Sequence, residues 1–292
     1  MKYRNRQGQE FEQTTGQDKL LRKMYDSYFC RAFLRFLSIP AFSRLAGALL
    51  DSKLSASFIS DFAENNNIDL SEYEPKAYKS FNDFFIRKVK RGSRPIPKDR
   101  NVLFSPSDGK ISAYETDKVN GFVIKNSVYT IHSLLRDSKL AKRFEDGYAV
   151  IIRLSPDDYH RYCYPATGIK SHDRVIKGVL STVNPVVNEY VAVYKENTRN
   201  YCLIRTENFG DIIQMEVGAL MVGRITNMHP YGRRTVLRGE EKGYFEFGGS
   251  TIILLLQKDK VKLCEDLLEN TREGYETKVK QGEAVATAKT AI

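Results

Sequence analysis

The stretch Gly248-Gly249-Ser250-Thr251-Ile252-Ile253-Leu254-Leu255-Leu256 joins a glycine turn directly to a short apolar run. An apolar run of this length next to a turn signal predicts a short strand. Glycine allows backbone conformations that other residues resist, so the chain can turn sharply just before the strand. There, the Ser250 hydroxyl could fold back on the carbonyl group of Gly249. Taken alone, the pattern is typical of an ordinary turn that leads into a strand.

Three further short runs are rich in Val, Ile and Tyr, namely Phe122–Ile124, Tyr148–Leu154 and Asp211–Val217. Gly, Asn, Asp and Pro separate them, as expected for strands joined by turns. Residues 132–140 and 264–270 are the candidates for helices. Strands and helices do not alternate regularly, which argues against a Rossmann-type sheet. We therefore predict that residues 99–292 form one β-rich domain, sandwich-like or barrel-like.

The N-terminal third has a different pattern. Apolar residues recur at three- and four-residue steps from about residue 18 to residue 36, and a second such segment follows Pro40. This spacing predicts two amphipathic helices. They could pack on the domain as a helix pair, or lie in a lipid interface. The predicted fold class is α+β, with a helical, basic and membrane-associating region over residues 1–98.

Composition limits the class of protein. The chain has 292 residues, of which 41% are hydrophobic and 28% charged, so it can bury a core and is not disordered. Its net charge of +10 favours an anionic partner. Much of the excess lies in residues 87–100, where a solvated face is the simplest interpretation, although Arg87 and Arg94 could instead be structural partners for acids. No apolar run is long enough to cross a bilayer, which predicts a soluble or peripheral protein.

The cysteines and histidines indicate where chemistry could occur. The 4 cysteines are far apart and form no CxxC pair, which argues against zinc or disulfides and fits a reducing compartment. No metal site is expected. Of the 4 histidines, His160 alone is embedded among ionisable groups, so it is the best candidate for a general base. Asp108 stands in a predicted turn, directly before a glycine.

Five ordered blocks of the chain together resemble the phosphatidylserine decarboxylase family. The blocks are Phe81-Asn82-Asp83-Phe84-Phe85-Ile86-Arg87 with Arg94-Pro95-Ile96, Ser105-Pro106-Ser107-Asp108-Gly109-Lys110, Leu154-Ser155-Pro156-Asp157-Asp158-Tyr159-His160-Arg161, Ser181-Thr182-Val183-Asn184-Pro185, and Gly239-Glu240-Glu241-Lys242-Gly243-Tyr244-Phe245 with Gly248-Gly249-Ser250-Thr251. The order of these blocks, ending in GST before an apolar strand, carries the assignment. Length, charge and spacing alone do not.

The resemblance implies a self-cleaving proenzyme with a covalent cofactor. Ser250 would attack the carbonyl of Gly249, the chain would be cut between these two residues, and Ser250 would become a pyruvoyl group. That group would form a Schiff base with the serine amine of phosphatidylserine and accept electrons as CO₂ leaves, which ordinary side chains cannot do. The products would be phosphatidylethanolamine and CO₂. The large chain, 1–249, and the small chain, 250–292, would stay together as a heterodimer.

The resemblance also assigns the residues that assist cleavage. Asp108 matches the family's charge-relay aspartate, and His160 matches the histidine of its DYHR block. Asp158 is a second carboxylate that could orient His160. The family pattern continues with a second histidine where this chain has Cys163. Either His160 acts alone, or cleavage is slow, or the chain is a divergent paralogue; we favour the first, because Asp108, His160 and the Ser250 turn all remain.

The implied substrate also suggests where the protein acts. Phosphatidylserine is an anionic lipid, and each basic residue near such a surface contributes about 1 kcal/mol to binding. We therefore expect a peripheral protein on the cytoplasmic face of the cell membrane, bound to an anionic membrane surface. A nucleic-acid partner is not expected, since only the net charge suggests one. The alternative function is a processing-deficient paralogue that binds anionic lipid without decarboxylating it.

Overall fold

The computed structural model describes residues 2–12, 23–30, 34, 47–117, 121–184, 187, 190–219, 224–247 and 250–289. Its strands are β1 (Lys2–Arg4), β2 (Glu10–Glu12), β3 (Val102–Phe104), β4 (Gly109–Glu115), β5 (Phe122–Ile124), β6 (Ser127–Tyr129), β7 (Tyr148–Leu154), β8 (Arg161–Cys163), β9 (Gly168–Lys170), β10 (Arg174–Ile176), β11 (Arg199–Thr206), β12 (Asp211–Val217), β13 (Ile225–Asn227), β14 (Arg234–Val236), β15 (Glu241–Phe245), β16 (Ser250–Leu256), β17 (Val261–Leu263), β18 (Glu276–Val279) and β19 (Ala284–Ala288). Helices with both ends in these ranges are α1 (Ile59–Asn65), α2 (Phe81–Phe85), α3 (Ile131–Leu135), α4 (Ser138–Ala141), α5 (Val193–Glu196) and α6 (Glu265–Arg272), with 3₁₀ turns at Lys53–Phe58 and Leu70–Glu72.

The largest sheet has 11 strands in the order β14-β9-β11-β12-β16-β7-β4-β18-β1-β2, with β10 added on β11. Its neighbours run antiparallel except for β1 and β18, which run parallel. Smaller sheets are formed by β13-β15-β8, β17-β19-β3 and β5-β6. Over the described residues the large sheet starts at β14 and ends at β2 without closing. The protein is therefore mixed α/β with a dominant open sheet, and the barrel-like closure that the sequence suggested does not occur.

The apolar run that follows Ser250 forms the centre of this sheet. Every residue of β16 and every residue of its neighbour β7 is buried. Full burial of a Leu or Ile side chain stabilises the fold by about 1.5–3 kcal/mol, so these two strands contribute much of the core. A strand covered on both faces needs no polar alternation, which explains why the sequence of β16 is continuously apolar.

Local sequence patterns predicted several elements with their observed bounds. The runs Phe122–Ile124, Tyr148–Leu154 and Asp211–Val217 are strands β5, β7 and β12. The predicted helix at 264–270 is α6, which begins one residue later. The predicted helix at 132–140 is instead two short helices, α3 and α4. Arg136 ends α3 in a left-handed conformation, with φ of 49°, and this breaks the helix.

The N-terminal region begins with strands rather than helix. β1 pairs with β18 and β2, so residues 2–12 extend the large sheet. Most of the predicted amphipathic stripe, including Leu20, Leu21, Ala32, Phe33 and Phe36, lies outside the described residues. In the described part, 23–26 and 28–30 are helical. No helix of the described ranges is both long and apolar enough to span a membrane.

Candidate active site

Three strand ends meet at one edge of the large sheet and bring the predicted site residues together. Ser250, the first residue of β16, pairs with Leu154, the last residue of β7. On the other side of β7, Lys110 of β4 pairs with Arg153. Neighbouring strands lie about 4.8 Å apart, so the start of β4 is about 10 Å from the start of β16. The turn that carries Asp108 and the loop that carries His160 both adjoin this edge.

Gly109 lets β4 start close to β7. Its φ is +154°, and a Cβ atom at this position would lie 2.8 Å from the carbonyl oxygen of Arg153. A contact that short is not tolerated, so a larger residue would push the two strands apart. The Asp-Gly pair that the sequence marked as a simple turn therefore sets the spacing of the site.

Ser250 is fully buried, and its Oγ has no hydrogen-bond partner among the described residues. A buried hydroxyl without a partner costs about 1–3 kcal/mol, so such groups are uncommon in folded proteins. Gly248 and Gly249, including the predicted cleavage position, lie outside the described residues. The structure thus describes the attacking side chain but not the bond that it would attack.

His160 also has a buried polar atom without a partner among the described residues. Its Nδ1 lies 2.9 Å from the main-chain oxygen of Asp158, and its Nε2 has no partner in the described part of the chain. Because a carbonyl oxygen only accepts, Nδ1 carries the proton and donates it. The neutral ring therefore presents the lone pair of Nε2, as a general base requires.

The surroundings of His160 keep the ring uncharged. Burial lowers the pKa of His160 to about 3, against the opposing effect of the Asp158 hydrogen bond, and the positive charge of Arg87 lowers it further. At neutral pH the imidazole is therefore uncharged, and its Nε2 is a weaker base than that of a free imidazole. Its conjugate acid is strong, so an accepted proton would be returned readily.

Asp108 belongs to a separate ion pair rather than to a direct dyad with His160. Arg94 donates to both carboxylate oxygens of Asp108, at 2.8 Å from Nε to Oδ1 and 2.6 Å from Nη2 to Oδ2. The main-chain N–H of Gln281 adds a third hydrogen bond at 2.8 Å. Within the described ranges, the one hydrogen bond of the His160 ring goes to the main-chain oxygen of Asp158. The two predicted site residues share an edge of the sheet but no hydrogen bond.

Asp158 orients His160 through its main chain and not through its carboxylate. The carboxylate accepts a hydrogen bond from the main-chain N–H of Ser155 at 2.6 Å. Burial raises the pKa of the Asp158 carboxyl to about 6, although the charge of Lys110 opposes this. Lys110 in turn donates to Ser155 Oγ at 2.9 Å. Lys110 was quoted only as part of a motif, and its role in fixing this loop was not predicted.

Cys163 lies beside the turn that precedes Asp108. Its main-chain N–H donates to the carbonyl oxygen of Pro106 at 3.0 Å, and its Sγ lies 3.6 Å from the same oxygen. Burial raises the pKa of the Cys163 thiol well above its ordinary value. The side chain is therefore a neutral thiol at physiological pH and cannot act as a base.

Aromatic side chains that the sequence did not single out form one wall of the site. The ring of Phe85, in α2, lies 4.0 Å from the His160 ring between centroids. Phe247 lies 5.1 Å from Phe85 and 5.0 Å from Phe81. Phe247 is three residues before Ser250, so this wall links His160 to the approach of the cleavage turn. The sequence signal for this wall is the run Phe81–Phe85, but only the packing shows that its rings lie against His160 and Phe247.

The basic stretch at residues 87–100 is not one solvated face. Arg87 and Arg94 are buried, at 2% and 8% exposure, whereas Lys88 and Arg91 are exposed. Arg87 donates from Nη2 to the carbonyl oxygen of Asp157 at 3.2 Å and stacks 4.4 Å from the Tyr73 ring centroid. These two arginines hold the site together, so only part of the stretch can meet an external anion.

Comparison with known proteins shows the family of this chain. The model of the phosphatidylserine decarboxylase family matches residues 81–287. A protein of Clostridium acetobutylicum named phosphatidylserine decarboxylase proenzyme 2 is 43% identical over 266 residues, which is 91% of this chain and 90% of that protein. A phosphatidylserine decarboxylase proenzyme of Clostridium botulinum is 39% identical over 295 residues, covering 99% of this chain and 100% of its own. The chain therefore belongs to the phosphatidylserine decarboxylase family.

Proposed function

We propose that this protein decarboxylates phosphatidylserine to phosphatidylethanolamine and CO₂, with a pyruvoyl group made from its own Ser250. One observation carries the proposal in addition to family membership. Ser250 Oγ and His160 Nε2 are both buried, both lack a partner among the described residues, and both lie at the same edge of the sheet. The Ser250 hydroxyl can donate a proton and His160 Nε2 can accept one, so the two groups suit the first proton transfer of self-cleavage.

In the proposed cleavage, His160 Nε2 takes the hydroxyl proton as Ser250 Oγ bonds to the carbonyl carbon of Gly249. The carbon–nitrogen bond between the two residues breaks, the Ser250 nitrogen takes the proton, and an ester remains. Loss of the α-proton of Ser250 then breaks the Cβ–Oγ bond and releases Gly249 as a carboxylate. Water finally replaces the nitrogen, which leaves as ammonia. The small chain would begin with the pyruvoyl group.

Asp108 completes the proposed set of site residues as a positioning group. Its carboxylate accepts hydrogen bonds from Arg94 and from the main-chain N–H of Gln281. These bonds hold the turn that Cys163 contacts at the Pro106 carbonyl oxygen. A charge paired in this way has little effect on a distant ring, but it holds the turn rigidly. We propose that Asp108 keeps the start of β4 in place while Ser250 reacts.

The residues present suit a pyruvoyl group at position 250. That position is anchored by main-chain pairing with Leu154 of β7, and the nearby aromatic wall is made by Phe85 and Phe247 beside His160. A pyruvoyl carbonyl supplies the electron sink that decarboxylation needs and that ordinary side chains lack. The buried wall would keep water from the reacting carbon, because its aromatic surface offers no hydrogen bonds.

After cleavage the large chain, 1–249, and the small chain, 250–292, would remain one heterodimer. β16 of the small chain lies between β12 and β7, and β18 lies between β4 and β1. Arg153 also forms an ion pair with Glu276 across the two parts at 2.5 Å. Because the small chain supplies a central strand of the core, separating it would expose most of that core to water.

We further propose peripheral binding to an anionic membrane surface at the cytoplasmic face of the cell membrane. The N-terminal segments expose large apolar side chains, including Phe29 at 84%, Leu54 at 84% and Phe58 at 61%. Exposed apolar groups beside basic ones are typical of proteins that dock on lipid. The free cysteines among the described residues fit a reducing compartment.

Mass spectrometry of the purified protein tests the proposed function. We expect two chains, with the small chain lighter by one ammonia than a chain that begins with free serine at position 250. Ser250→Ala should remain one intact chain and should fold at least as stably, since it removes an unpartnered buried hydroxyl. An uncut wild-type chain that releases no CO₂ from phosphatidylserine would contradict the proposal.

A further inference from the structure

A cavity lies away from the strand ends that form the candidate active site. It has a volume of about 560 Å³, and three arginines line it, Arg100, Arg205 and Arg238. We call it the arginine pocket. Thr167, Phe209 and Leu237 contribute further to its lining. None of these residues belongs to the proposed catalytic set, so the arginine pocket needs its own explanation.

The backbone around the arginine pocket is held in place by specific hydrogen bonds. Arg238 donates from Nη1 to the carbonyl oxygen of Asp99 at 2.8 Å and from Nη2 to that of Val102 at 3.0 Å. The side-chain amide of Asn208 donates to the carbonyl oxygen of Arg100 at 3.1 Å. These contacts join three segments that are distant in sequence. The pocket is therefore part of the folded structure and not a gap between loose loops.

The charges lining the arginine pocket are not balanced within the described part of the protein. The guanidinium groups of Arg100 and Arg205 make no hydrogen bond or ion pair there, and Nε of Arg238 is buried without a partner. Glu207 is the one acidic side chain among the lining residues. Burial lowers the pKa of Arg238; the negative charge of Asp99 opposes this shift and the positive charge of Arg100 adds to it.

We propose that the arginine pocket binds a phosphoryl group, carried either by a small soluble molecule or by a phospholipid headgroup. A guanidinium presents several N–H donors in one plane and suits the oxygens of phosphate better than an ammonium does. The apolar side chains of Phe209 and Leu237 would contact the carbon part of the ligand. Because the pocket contains none of the cleavage machinery, the inference is independent of the proposed function.

The test compares Arg100→Gln/Arg205→Gln with the matched variant Lys88→Gln/Arg91→Gln. Both variants remove two exposed positive charges, but Lys88 and Arg91 do not line the pocket. Binding of inorganic phosphate and glycerol 3-phosphate is measured by calorimetry. Binding to vesicles of phosphatidylcholine with phosphatidylglycerol is measured by flotation. Extent of self-cleavage checks that each variant is folded.

We expect the pocket variant to bind at least one of these probes about tenfold more weakly, which corresponds to about 1.4 kcal/mol, while the matched variant stays close to wild type. Loss of binding to the soluble phosphates would identify a small phosphorylated ligand. Loss confined to the vesicles would identify a lipid headgroup. Equal behaviour of the two variants with every probe would overturn the proposal, as would failure of the wild-type protein to bind any of them.

Discussion

Two side-chain atoms, Ser250 Oγ and His160 Nε2, have no partner among the described residues although both are buried. Proteins seldom leave buried polar atoms unpaired, since each costs about 1–3 kcal/mol. Here the two atoms are chemically complementary and occupy one edge of the sheet. Their residue types could be read from the sequence, but their unpaired state could not.

The depressed pKa of His160 predicts a specific dependence of stability on pH. The folded-state pKa of about 3 lies below the ordinary value of 6.5, so the unfolded chain binds the extra proton between these limits. The buried neutral ring therefore makes its full contribution to the free energy of unfolding above pH 6.5. This contribution falls as the pH drops toward about 3. The slope from this one group is at most about 1.4 kcal/mol per pH unit.

Denaturant unfolding measured between these pH values, in the uncleaved Ser250→Ala background, checks this prediction. Adding His160→Gln should remove that part of the slope, because glutamine does not titrate in this range. His172→Gln removes an exposed imidazole and serves as the matched control. Equal slopes with and without His160 would show that its burial does not determine its protonation.

Two substitutions at Cys163 separate its packing from its chemistry. Because the thiol is buried and neutral, Cys163→Ala should leave the rate of self-cleavage within about twofold while lowering stability by about 1 kcal/mol. Cys163→His places an imidazole beside the Asp108 turn, as in the family pattern, and should speed cleavage. Gel analysis of a time course after synthesis measures both rates. A large loss of rate in Cys163→Ala would contradict the inert role assigned to the thiol.

At the scale of elements, the site depends on how closely β4, β7 and β16 approach at their ends. The sequence predicted β7 and β16, because apolar runs between turns have few alternatives, but at the start of β4 it predicted only a turn. It did not predict which strands would be neighbours, since β4 and β16 are far apart in the chain. Their order in the sheet brings the Asp108 turn and Ser250 to the same edge.

Gly109 tests the importance of that close approach. Gly109→Ala should destabilise the protein by about 1–3 kcal/mol more than Gly92→Ala and should slow self-cleavage. Both glycines have positive φ, but an added Cβ at Gly92 meets nothing within 4 Å, whereas at Gly109 it lies 2.8 Å from Arg153. The difference in stability between the two variants therefore measures the effect of the close contact between β4 and β7. Thermal unfolding and gel analysis give the two readouts, and equal effects would rule out a role for strand spacing.

At the scale of the whole molecule, charge and apolar surface are distributed differently from what the sequence suggested. Arg87 and Arg94 are buried supports of the site, while Leu54 and Phe58 are exposed on the N-terminal side. A membrane surface would then meet these apolar side chains together with the exposed Lys53, which directly precedes Leu54. Binding should consequently depend on both contributions and weaken as salt screens the charges.

The variant Leu54→Ser/Phe58→Ser should bind phosphatidylserine vesicles at least about tenfold more weakly, because each apolar side chain contributes about 1.5 kcal/mol or more when buried. Decarboxylation of detergent-dispersed substrate should change little. Val123→Ser/Val175→Ser removes exposed apolar side chains from the β-rich part and is the matched control. Flotation assays measure binding. An equal loss in both variants would argue against a docking surface at Leu54 and Phe58.

The sequence alone was enough to predict strands β5, β7, β12 and β16, the turn that precedes Gly109, and the family to which the motifs belong. Such features depend on neighbours along the chain, through local propensity and the spacing of apolar residues. Only the tertiary structure decided that Asp108 pairs with Arg94, that Asp158 holds His160 through its main chain, and that Arg87 is buried. These outcomes depend on burial and on contacts between distant segments, because solvent exclusion and ion pairing arise only once the chain has folded.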